Sequence, residues 1–381
     1  MTGLLDKIYR GLLAALKSDA EPTHWRLYRC RCGRPVYFQN SLCTACKAPL
    51  GYVPELNEVR ALEPGANPNT WRIDGGEATY RRCANFESAA GCNWLVPLDD
   101  PTPQCISCRL NRTIPDLADA DNQRYWHAIE NAKRRLVSQL LAMGLPVKSK
   151  TEDSEHGVAF DLMRSPKDGP RLLTGHANGL ITLNVEEADD AKREQIRNAL
   201  HEPYRTLLGH FRHEIGHYYW DRLIPGTEWH EKFRELFGDE RADYAAALKA
   251  NYDNGPPRDW RDRHISAYAS SHPWEDWAET WAHFMHMEDS LDTAMSFGLT
   301  GKIDSEIEPY SRDDLYAPDD ENAERVLVLL NAWLGITTAL NELARSMGQQ
   351  DFYPFVMSRP VVRKLHFIQI VSWQVRTSTA H

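Results

Sequence analysis

Residues 207–220 read Leu-Leu-Gly-His-Phe-Arg-His-Glu-Ile-Gly-His-Tyr-Tyr-Trp and contain the pattern His213-Glu214-Ile215-Gly216-His217. In an α-helix, His213 and His217 project from the same face about one turn apart, so two imidazoles can bind one metal ion. Glu214 is rotated to the side of that face, where its carboxylate can act as a general base on water. The pattern therefore predicts a catalytic zinc site on a helix. The simpler alternative is a helix whose histidines are only packed or solvated.

A third metal ligand is expected downstream, because a catalytic zinc ion commonly takes three protein ligands and leaves one position open. Residues 271–283 read Ser-His-Pro-Trp-Glu-Asp-Trp-Ala-Glu-Thr-Trp-Ala-His. Pro273 can begin a helix, and Glu275 and Glu279 then share one helix face. One of them can bind the metal while the other accepts a hydrogen bond from a ligand imidazole. The alternative is a core helix with tryptophans inside and carboxylates in water.

The cysteines point to structural metal sites, since all eight lie between residues 30 and 108. Disulfides are rarely distributed in this way in a large cytosolic protein, whereas metal ligands are. Each of two quartets can close the tetrahedral coordination of one structural zinc ion. In the first quartet, one residue separates Cys30 from Cys32, whereas two residues separate the cysteines of the usual zinc knuckle, so His24 is an alternative ligand to Cys30. For the second quartet, the alternative is that its thiols bind no metal ion. The quartets are Cys30, Cys32, Cys43 and Cys46, and Cys83, Cys92, Cys105 and Cys108.

Composition and charge limit the class of protein. The 381 residues are 42% hydrophobic and 26% charged, which excludes collagen-like, low-complexity and wholly disordered chains. The net charge of −10 disfavours non-specific nucleic-acid binding, so such binding would need a local patch. No signal peptide or apolar run of about 20 residues is found, and a cytoplasmic location is expected. Arginines lie near the cysteines in the sequence, which supports the hypothesis that this region binds nucleic acid or a partner protein. These arginines are Arg29, Arg31, Arg34, Arg81, Arg82, Arg109 and Arg112.

The chain is expected to form four parts. An amphipathic helix is predicted first, docked on the protein, with a membrane-surface or partner-binding helix as the alternative. Two zinc ribbons follow, and Pro54–Asn69 between them is interpreted as a linker with little regular structure. The last part is a mainly helical domain with a small β-sheet. The predicted bounds are 1–20 for the helix, 21–60 and 61–112 for the ribbons, and 113–381 for the domain.

Hydrophobic patterns predict the elements of that domain. A long helix carries apolar residues from Trp126 to Met143 and stops at Gly144. Alternating residues predict strands around 158–162 and at Ile181–Val185. The second strand is a candidate edge strand, onto which an extended substrate could add by backbone pairing. Further helices are predicted at about 188–200, 322–347 and 361–371, and the apolar stretch 326–340 is expected to be a buried helix.

The spacing Tyr268-x6-Glu275-x3-Glu279, followed by His286, resembles the active-site region of the lethal-factor-type zincin toxins, over about residues 204–290. The resemblance implies that Glu275 is the third zinc ligand and that Glu279 supports the site. It also implies that Tyr268 assists the tetrahedral intermediate, and a phenol is a suitable donor to an oxyanion. Four nearby histidines are expected to be packed or exposed instead of ligands: His264, His272, His283 and His286.

Most of residues 25–290 resembles bacterial zinc-binding metallopeptidases that carry an N-terminal zinc ribbon. The resemblance rests on Cys-Gly-Arg-Pro-Val-Tyr-Phe-Gln-Asn at 32–40, Cys-Asn-Trp-Leu-Val at 92–96 and Thr-Gly-His-Ala-Asn-Gly-Leu-Ile-Thr-Leu at 174–183. It implies an α+β fold and a gluzincin-type metallopeptidase that cleaves a peptide or protein substrate, with one catalytic and two structural zinc ions. The second hypothesis is a non-enzymatic zinc-ribbon protein that binds nucleic acid or a partner protein and carries a latent or inactive zincin domain.

Overall fold

The computed structural model describes residues 26–73, 76–166, 168–169, 172–199, 205–299 and 308–378, together with Tyr9. His24 and the predicted N-terminal helix, apart from Tyr9, lie outside these residues. The chain divides into two compact units, here called the N-terminal and the C-terminal unit. The N-terminal unit comprises residues 23–201 and 205–211, and the C-terminal unit comprises 212–381 with 1–22 and 202–204.

Short strands build the first half of the N-terminal unit. In a two-stranded antiparallel hairpin, Tyr28 lies opposite Val36 and both are buried. An antiparallel sheet in the order β3-β4-β5-β6-β7 follows, and one of its buried clusters includes Val53, Leu62 and Leu95. The strands are β1 (Tyr28–Arg29), β2 (Pro35–Val36), β3 (Leu50–Val53), β4 (Glu58–Pro64), β5 (Thr70–Ile73), β6 (Thr79–Arg82) and β7 (Leu95–Pro97).

The predicted linker at Pro54–Asn69 is wrong, because β4 occupies residues 58–64 and pairs with β3 and β5. Val59 and Ala61 of this strand are buried, with the partly exposed Arg60 between them. Proline and glycine residues lie at the ends of the strand and mark the adjoining turns. Because of them, the sequence analysis did not recognise the alternation of buried and exposed residues within the strand. The predicted boundary between residues 60 and 61 lies within β4, and the four-part division stays a prediction.

The second half of the N-terminal unit combines a long helix with a second sheet. Its elements are β8 (Asn111–Thr113), α1 (Ala120–Met143), β9 (Ala159–Met163), β10 (Gly175–Ala177), β11 (Leu180–Asn184) and α2 (Asp190–Ala199). The predicted helix is α1. Asp119 caps its N-terminus, and Gly144 ends it in the left-handed conformation at φ 73°, which glycine adopts without strain.

The prediction that Ile181–Val185 forms an edge strand is wrong. In the order β10-β11-β9-β8, β11 pairs parallel with β9 and antiparallel with β10. Asn178 and Gly179 form the turn that folds β10 back, and both have positive φ. β10 is a three-residue strand without apolar alternation, so the sequence pattern gave no sign of it. Because both edges of β11 are already paired, it cannot accept an extended substrate as an added strand.

The described residues of the C-terminal unit form helices and connecting loops, without a β-strand. Its elements are α3 (Leu207–Leu223), which enters the unit at Arg212, α4 (Trp229–Phe237), α5 (Tyr244–Asn254), α6 (Trp260–Arg263), α7 (Pro273–Ser296), α8 (Ala323–Ser346) and α9 (Arg359–Ser378). Nearly all of α7 is buried. Helices here and small sheets in the other unit confirm the predicted α+β fold.

One described helix, α8, is long and apolar enough to cross a membrane when only length and composition are considered. In its most apolar window, 44% of the residues are buried in the structure, and a core helix of this kind meets the same criteria. The buried positions include Val326, Leu330 and Trp333, which recur at three- and four-residue steps on one face. The helix predicted at 326–340 is therefore present, with one buried face.

Candidate metal centre

Close packing of α3 against α7 brings the predicted ligands together. The indole nitrogen of Trp277 donates a hydrogen bond to the carbonyl oxygen of Gly216, with a length of 2.9 Å. A Cβ atom at Gly216 would lie 3.1 Å from both Ala278 Cα and Trp281 Cβ. The two helices can therefore approach this closely because residue 216 has no side chain. Trp277 and Trp281 are fully buried, as predicted for the core.

His213, His217 and Glu275 direct one donor atom each to a common point. Nε2 of His213 lies 3.1 Å from Nε2 of His217 and 3.0 Å from Oε2 of Glu275, and the third separation is 3.5 Å. Tetrahedral zinc ligands about 2.1 Å from the ion are about 3.4 Å apart. The three atoms are therefore spaced as a zinc ion requires. Trp274 stacks on His217, with ring centroids 3.8 Å apart, and limits its rotation.

The hydrogen bonding of Glu275 supports the fit to a cation. Its Oε2 atom is buried and faces Nε2 of His213 at 3.0 Å and Nε2 of His217 at 3.5 Å. When His213 is neutral, with its proton on Nδ1, it presents a lone pair to this oxygen, and a metal ion between the two atoms would satisfy both. Burial lowers the pKa of His213, but Glu275 and Glu279 outweigh this and raise that pKa well above its ordinary value. A metal ion bound here would therefore compete with a proton.

Glu279 holds the ring of His213 in place. Nδ1 of His213 donates to Oε1 of Glu279 over 2.7 Å, and the hydroxyl of Ser266 donates to Oε2 over 2.6 Å. The bond to Nδ1 leaves the lone pair of the neutral imidazole on Nε2, which faces His217 and Glu275. Glu279 thus occupies the supporting position that the sequence predicted for one of the two glutamates.

Tyr244, at the start of α5, is a site residue that the sequence analysis missed. Its hydroxyl donates to Oε1 of Glu275 over 2.6 Å, so Oε1 is held away from the converging atoms. Burial and the charges of Glu275 and Glu214 raise the pKa of Tyr244, so the phenol remains a donor at neutral pH. Tyr244 lies 31 residues before Glu275 on a separate helix, and no local pattern could have connected the two.

The predicted catalytic residues Glu214 and Tyr268 lie at the same site. Glu214 is 8% exposed, follows His213 directly, and is near enough to Tyr244 for its charge to raise the pKa of that phenol. The ring of Tyr268 lies 5.9 Å from the ring of His213, centroid to centroid. Burial raises the pKa of Tyr268 well above its ordinary value, so its hydroxyl can also donate. Both residues therefore lie close to His213, one next to it in the helix and the other facing its ring.

The two predicted cysteine quartets also assemble. In the first, Cys30 Sγ lies 3.5 Å from Cys46 Sγ, and Cys32 Sγ lies 3.8 Å from Cys43 Sγ. Sulfurs bound tetrahedrally to zinc at about 2.3 Å are about 3.8 Å apart. The backbone amides of Cys46 and Ala45 help to lower the pKa of Cys43 to about 6, which favours a thiolate. Cys30, the weakest candidate from sequence, belongs to the group.

In the second quartet, all four cysteines are buried. Cys92 Sγ lies 3.6 Å from Cys105 Sγ, and the backbone amide of Cys105 donates to Cys83 Sγ over 3.3 Å. The sulfur of Cys108 lies 4.0 Å from Oε2 of Glu130 on α1. This quartet is therefore built into the interior of the N-terminal unit. All eight cysteines are free thiols.

Comparison with known proteins agrees with these sites. The sequence model of a family described as "putative zinc-binding metallo-peptidase" matches residues 122–371. The chain belongs to this family. A zinc-ribbon domain model matches residues 27–119, so this zinc-binding metallopeptidase family member also carries a zinc-ribbon domain, as the sequence analysis predicted.

Three relatives of this chain are mycobacterial proteins. One uncharacterized protein of Mycobacterium bovis and two of Mycobacterium tuberculosis, from strains CDC 1551 and H37Rv, are each 41% identical over 341 residues. The match covers 89% of this chain and 93% of each relative. No solved structure matches the chain. The resemblance of residues 204–290 to the lethal-factor toxins stays an interpretation.

The four additional histidines, His264, His272, His283 and His286, do not contribute to the three-atom group. Nδ1 of His264 bonds Asp276 over 3.1 Å, and His272 accepts a hydrogen bond at the start of α7 from the amide of Trp274. His283 contacts the hydroxyl of Tyr353 over 2.7 Å, and His286 is bonded to Arg212. All four therefore have structural contacts, as expected.

A buried ion pair anchors the helix that carries both glutamates. Nζ of Lys364 on α9 lies 2.6 Å from Oδ2 of Asp276 on α7, and both side chains are at least 95% buried. Asp276 directly follows Glu275. Because breaking one half of such a pair leaves an uncompensated buried charge, the pair fixes α7 next to the candidate ligand. The sequence gave no sign of this pairing across 88 residues.

Proposed function

We propose that this protein is an active, gluzincin-type zinc metallopeptidase in which His213, His217 and Glu275 hold the catalytic ion. The observation that supports this most directly is the convergence of their three donor atoms, one of which is an oxygen of a buried carboxylate. Three ligands leave one coordination position open, which distinguishes a catalytic site from the closed cysteine quartets.

The proposed reaction is hydrolysis of a peptide bond. Zinc at this site would polarise the scissile carbonyl group and make the attacking water more acidic. Glu214 would take a proton from that water and deliver it to the nitrogen of the leaving amine. The hydroxyl of Tyr268 would donate to the oxygen that gains negative charge, and Glu279 would keep His213 in the required orientation. The substrate is a peptide or a protein.

We also propose that each cysteine quartet holds one structural zinc ion. Eight cysteines that bind zinc and form no disulfide fit a reducing, cytoplasmic location. Purified protein should then contain about three zinc ions per chain, and the double variant His213→Ala, His217→Ala should contain about two. Elemental analysis of both proteins measures this difference.

The control for the zinc count is the double variant His127→Ala, His156→Ala, which changes two exposed histidines and should keep about three ions. Equal zinc contents in wild type and His213→Ala, His217→Ala would show that this helix does not hold a metal ion. The same three proteins should be incubated with a proteome-derived peptide library and the new termini counted by mass spectrometry. Cleavage is expected from wild type and control only, and its absence from zinc-replete wild type would contradict peptidase activity.

Tyr244→Phe should weaken zinc binding at the three-ligand site by about 10- to 100-fold. The variant loses the hydroxyl that bonds Oε1 of Glu275, so the carboxylate is no longer held with Oε2 toward the histidines. Competition with a chromogenic chelator measures this affinity. Tyr252→Phe is the matched control, because Tyr252 lies on the same helix and is 62% exposed. Equal affinities in the two variants would show that the hydrogen bond to Glu275 does not position the ligand.

A further inference from the structure

The first ribbon carries a charge opposite to that of the whole chain. Residues 26–54 contain four arginines, one lysine and no acidic residue, although the chain has a net charge of −10. Arg26 is buried. The other four cations are exposed: Arg29, Arg31, Arg34 and Lys47. This segment is therefore a local positive surface on an acidic protein.

An exposed aromatic residue follows the hairpin of β1 and β2. Arg29 lies opposite Pro35, while Tyr28 lies opposite Val36. Paired residues of an antiparallel ladder point to the same side, and successive residues alternate. The buried pair thus faces the interior, and Arg29 and Pro35 face outward. Tyr37 follows Val36 just beyond β2, at the end of the hairpin away from the turn, and is 61% exposed.

The remaining cations lie near the turn of the hairpin and the first cysteine quartet. Arg31 and Arg34 lie in the turn between β1 and β2, and Lys47 directly follows Cys46, whose sulfur is 3.5 Å from that of Cys30. Arg31 forms a 3.5 Å contact with Glu63 in which both side chains are more than 40% exposed. Arg29, Arg34 and Lys47 form no salt bridge within the described part of the chain. We call the group Arg29, Arg31, Arg34, Tyr37 and Lys47 the ribbon-tip surface.

We propose that the ribbon-tip surface binds single-stranded nucleic acid, with phosphates on the cations and an unstacked base on the ring of Tyr37. Exposed cations combined with an exposed aromatic ring are the recurring features of sequence-tolerant single-strand binding. A duplex keeps its bases stacked and leaves the ring unused, and an acidic peptide would engage the cations only. This binding activity is separate from peptide hydrolysis and does not depend on the three-ligand site.

The test uses full-length, zinc-loaded protein and fluorescence anisotropy with labelled oligothymidine and oligouridine. Reversal of three charges in Arg29→Glu, Arg31→Glu, Arg34→Glu should weaken binding by at least about tenfold. For contacts to three or four phosphates, a plot of the logarithm of the wild-type association constant against the logarithm of the salt concentration should have a slope of about −2 to −3. Tyr37→Ala should weaken binding by about fivefold or more without changing that slope, because stacking does not release counterions.

The matched control, Arg124→Glu, Lys192→Glu, Arg345→Glu, changes the net charge by the same amount at exposed residues that do not belong to the ribbon-tip surface. It should bind like wild type, and zinc analysis should show that every variant keeps its structural ions. The proposal is overturned if wild type does not bind at low salt, or if the control loses as much affinity as the ribbon variant. It is also overturned if polyglutamate binds as tightly as the oligonucleotides and Tyr37→Ala has no effect, which would identify an acidic protein as the partner.

Discussion

Glu214→Gln is expected to slow peptide hydrolysis by about 100- to 10,000-fold without changing the zinc content. The amide of glutamine has nearly the shape of the carboxylate but cannot take a proton from water at neutral pH. None of the three converging donor atoms belongs to Glu214, so its replacement should leave metal binding intact. A large loss of rate with metal retained is therefore the expected signature of a general base.

The peptide-library assay measures the rate, and elemental analysis measures the metal. Glu231→Gln, on a glutamate whose side chain is 78% exposed, is the matched control and should cleave at the wild-type rate. Unchanged turnover in Glu214→Gln would exclude Glu214 as the base. Loss of zinc together with activity would instead assign Glu214 a role in holding the metal site.

Cys105→Ser should remove the zinc ion from the second quartet and unfold much of the N-terminal unit. Structural zinc contributes on the order of 10–16 kcal/mol to the folding of zinc-finger peptides, which is comparable to the about 5–15 kcal/mol that stabilises a whole domain. Cys105 is 1% exposed. Its quartet lies inside the unit and adjoins α1 through Cys108 and Glu130, so its loss should spread beyond the loop.

Zinc analysis, thermal unfolding and protease resistance would report the effect of Cys105→Ser. The control is Ser107→Ala, a buried change between two ligand cysteines that keeps all four sulfurs. We expect about one zinc ion fewer per chain and rapid proteolysis of the N-terminal unit in Cys105→Ser alone. Full zinc content with an unchanged unfolding temperature would contradict a structural role for this quartet.

The residues that the sequence revealed are those whose relations are local. His213 and His217 are one helical turn apart, and the cysteine spacings place two sulfurs in each tight turn, so proximity follows from position in the chain. Glu275 required the pattern of a second helix, but the spacing to Glu279 made the pair recognisable. These short-range constraints predicted the two histidines and the C-x-C and C-x2-C pairs, left Glu275 and Glu279 as alternatives, and the resemblance to the lethal-factor-type toxins implied Glu275 as the third ligand.

The relations that sequence analysis missed depend on tertiary structure. Tyr244 reaches Glu275 from another helix, and Lys364 pairs with Asp276 from the C-terminal helix, so neither has a recognisable spacing. The position of β11 within its sheet depends on the short strand β10, whose composition is not typical of a strand. The burial of a side chain, its hydrogen-bond partner and the order of strands in a sheet depend on which distant parts of the chain pack against a segment. The sequence of a single segment does not contain that information.

The absence of a side chain at Gly216 has a consequence for coordination chemistry. Gly216 lies in the helical turn between His213 and His217, and α7 touches it from the side that presents Glu275. A methyl group there would force the helices apart by tenths of an ångström, while zinc–ligand distances tolerate deviations of only about 0.2 Å. The separation of the two helix backbones therefore determines whether the donor atoms of His213, His217 and Glu275 lie at the spacing that one zinc ion requires.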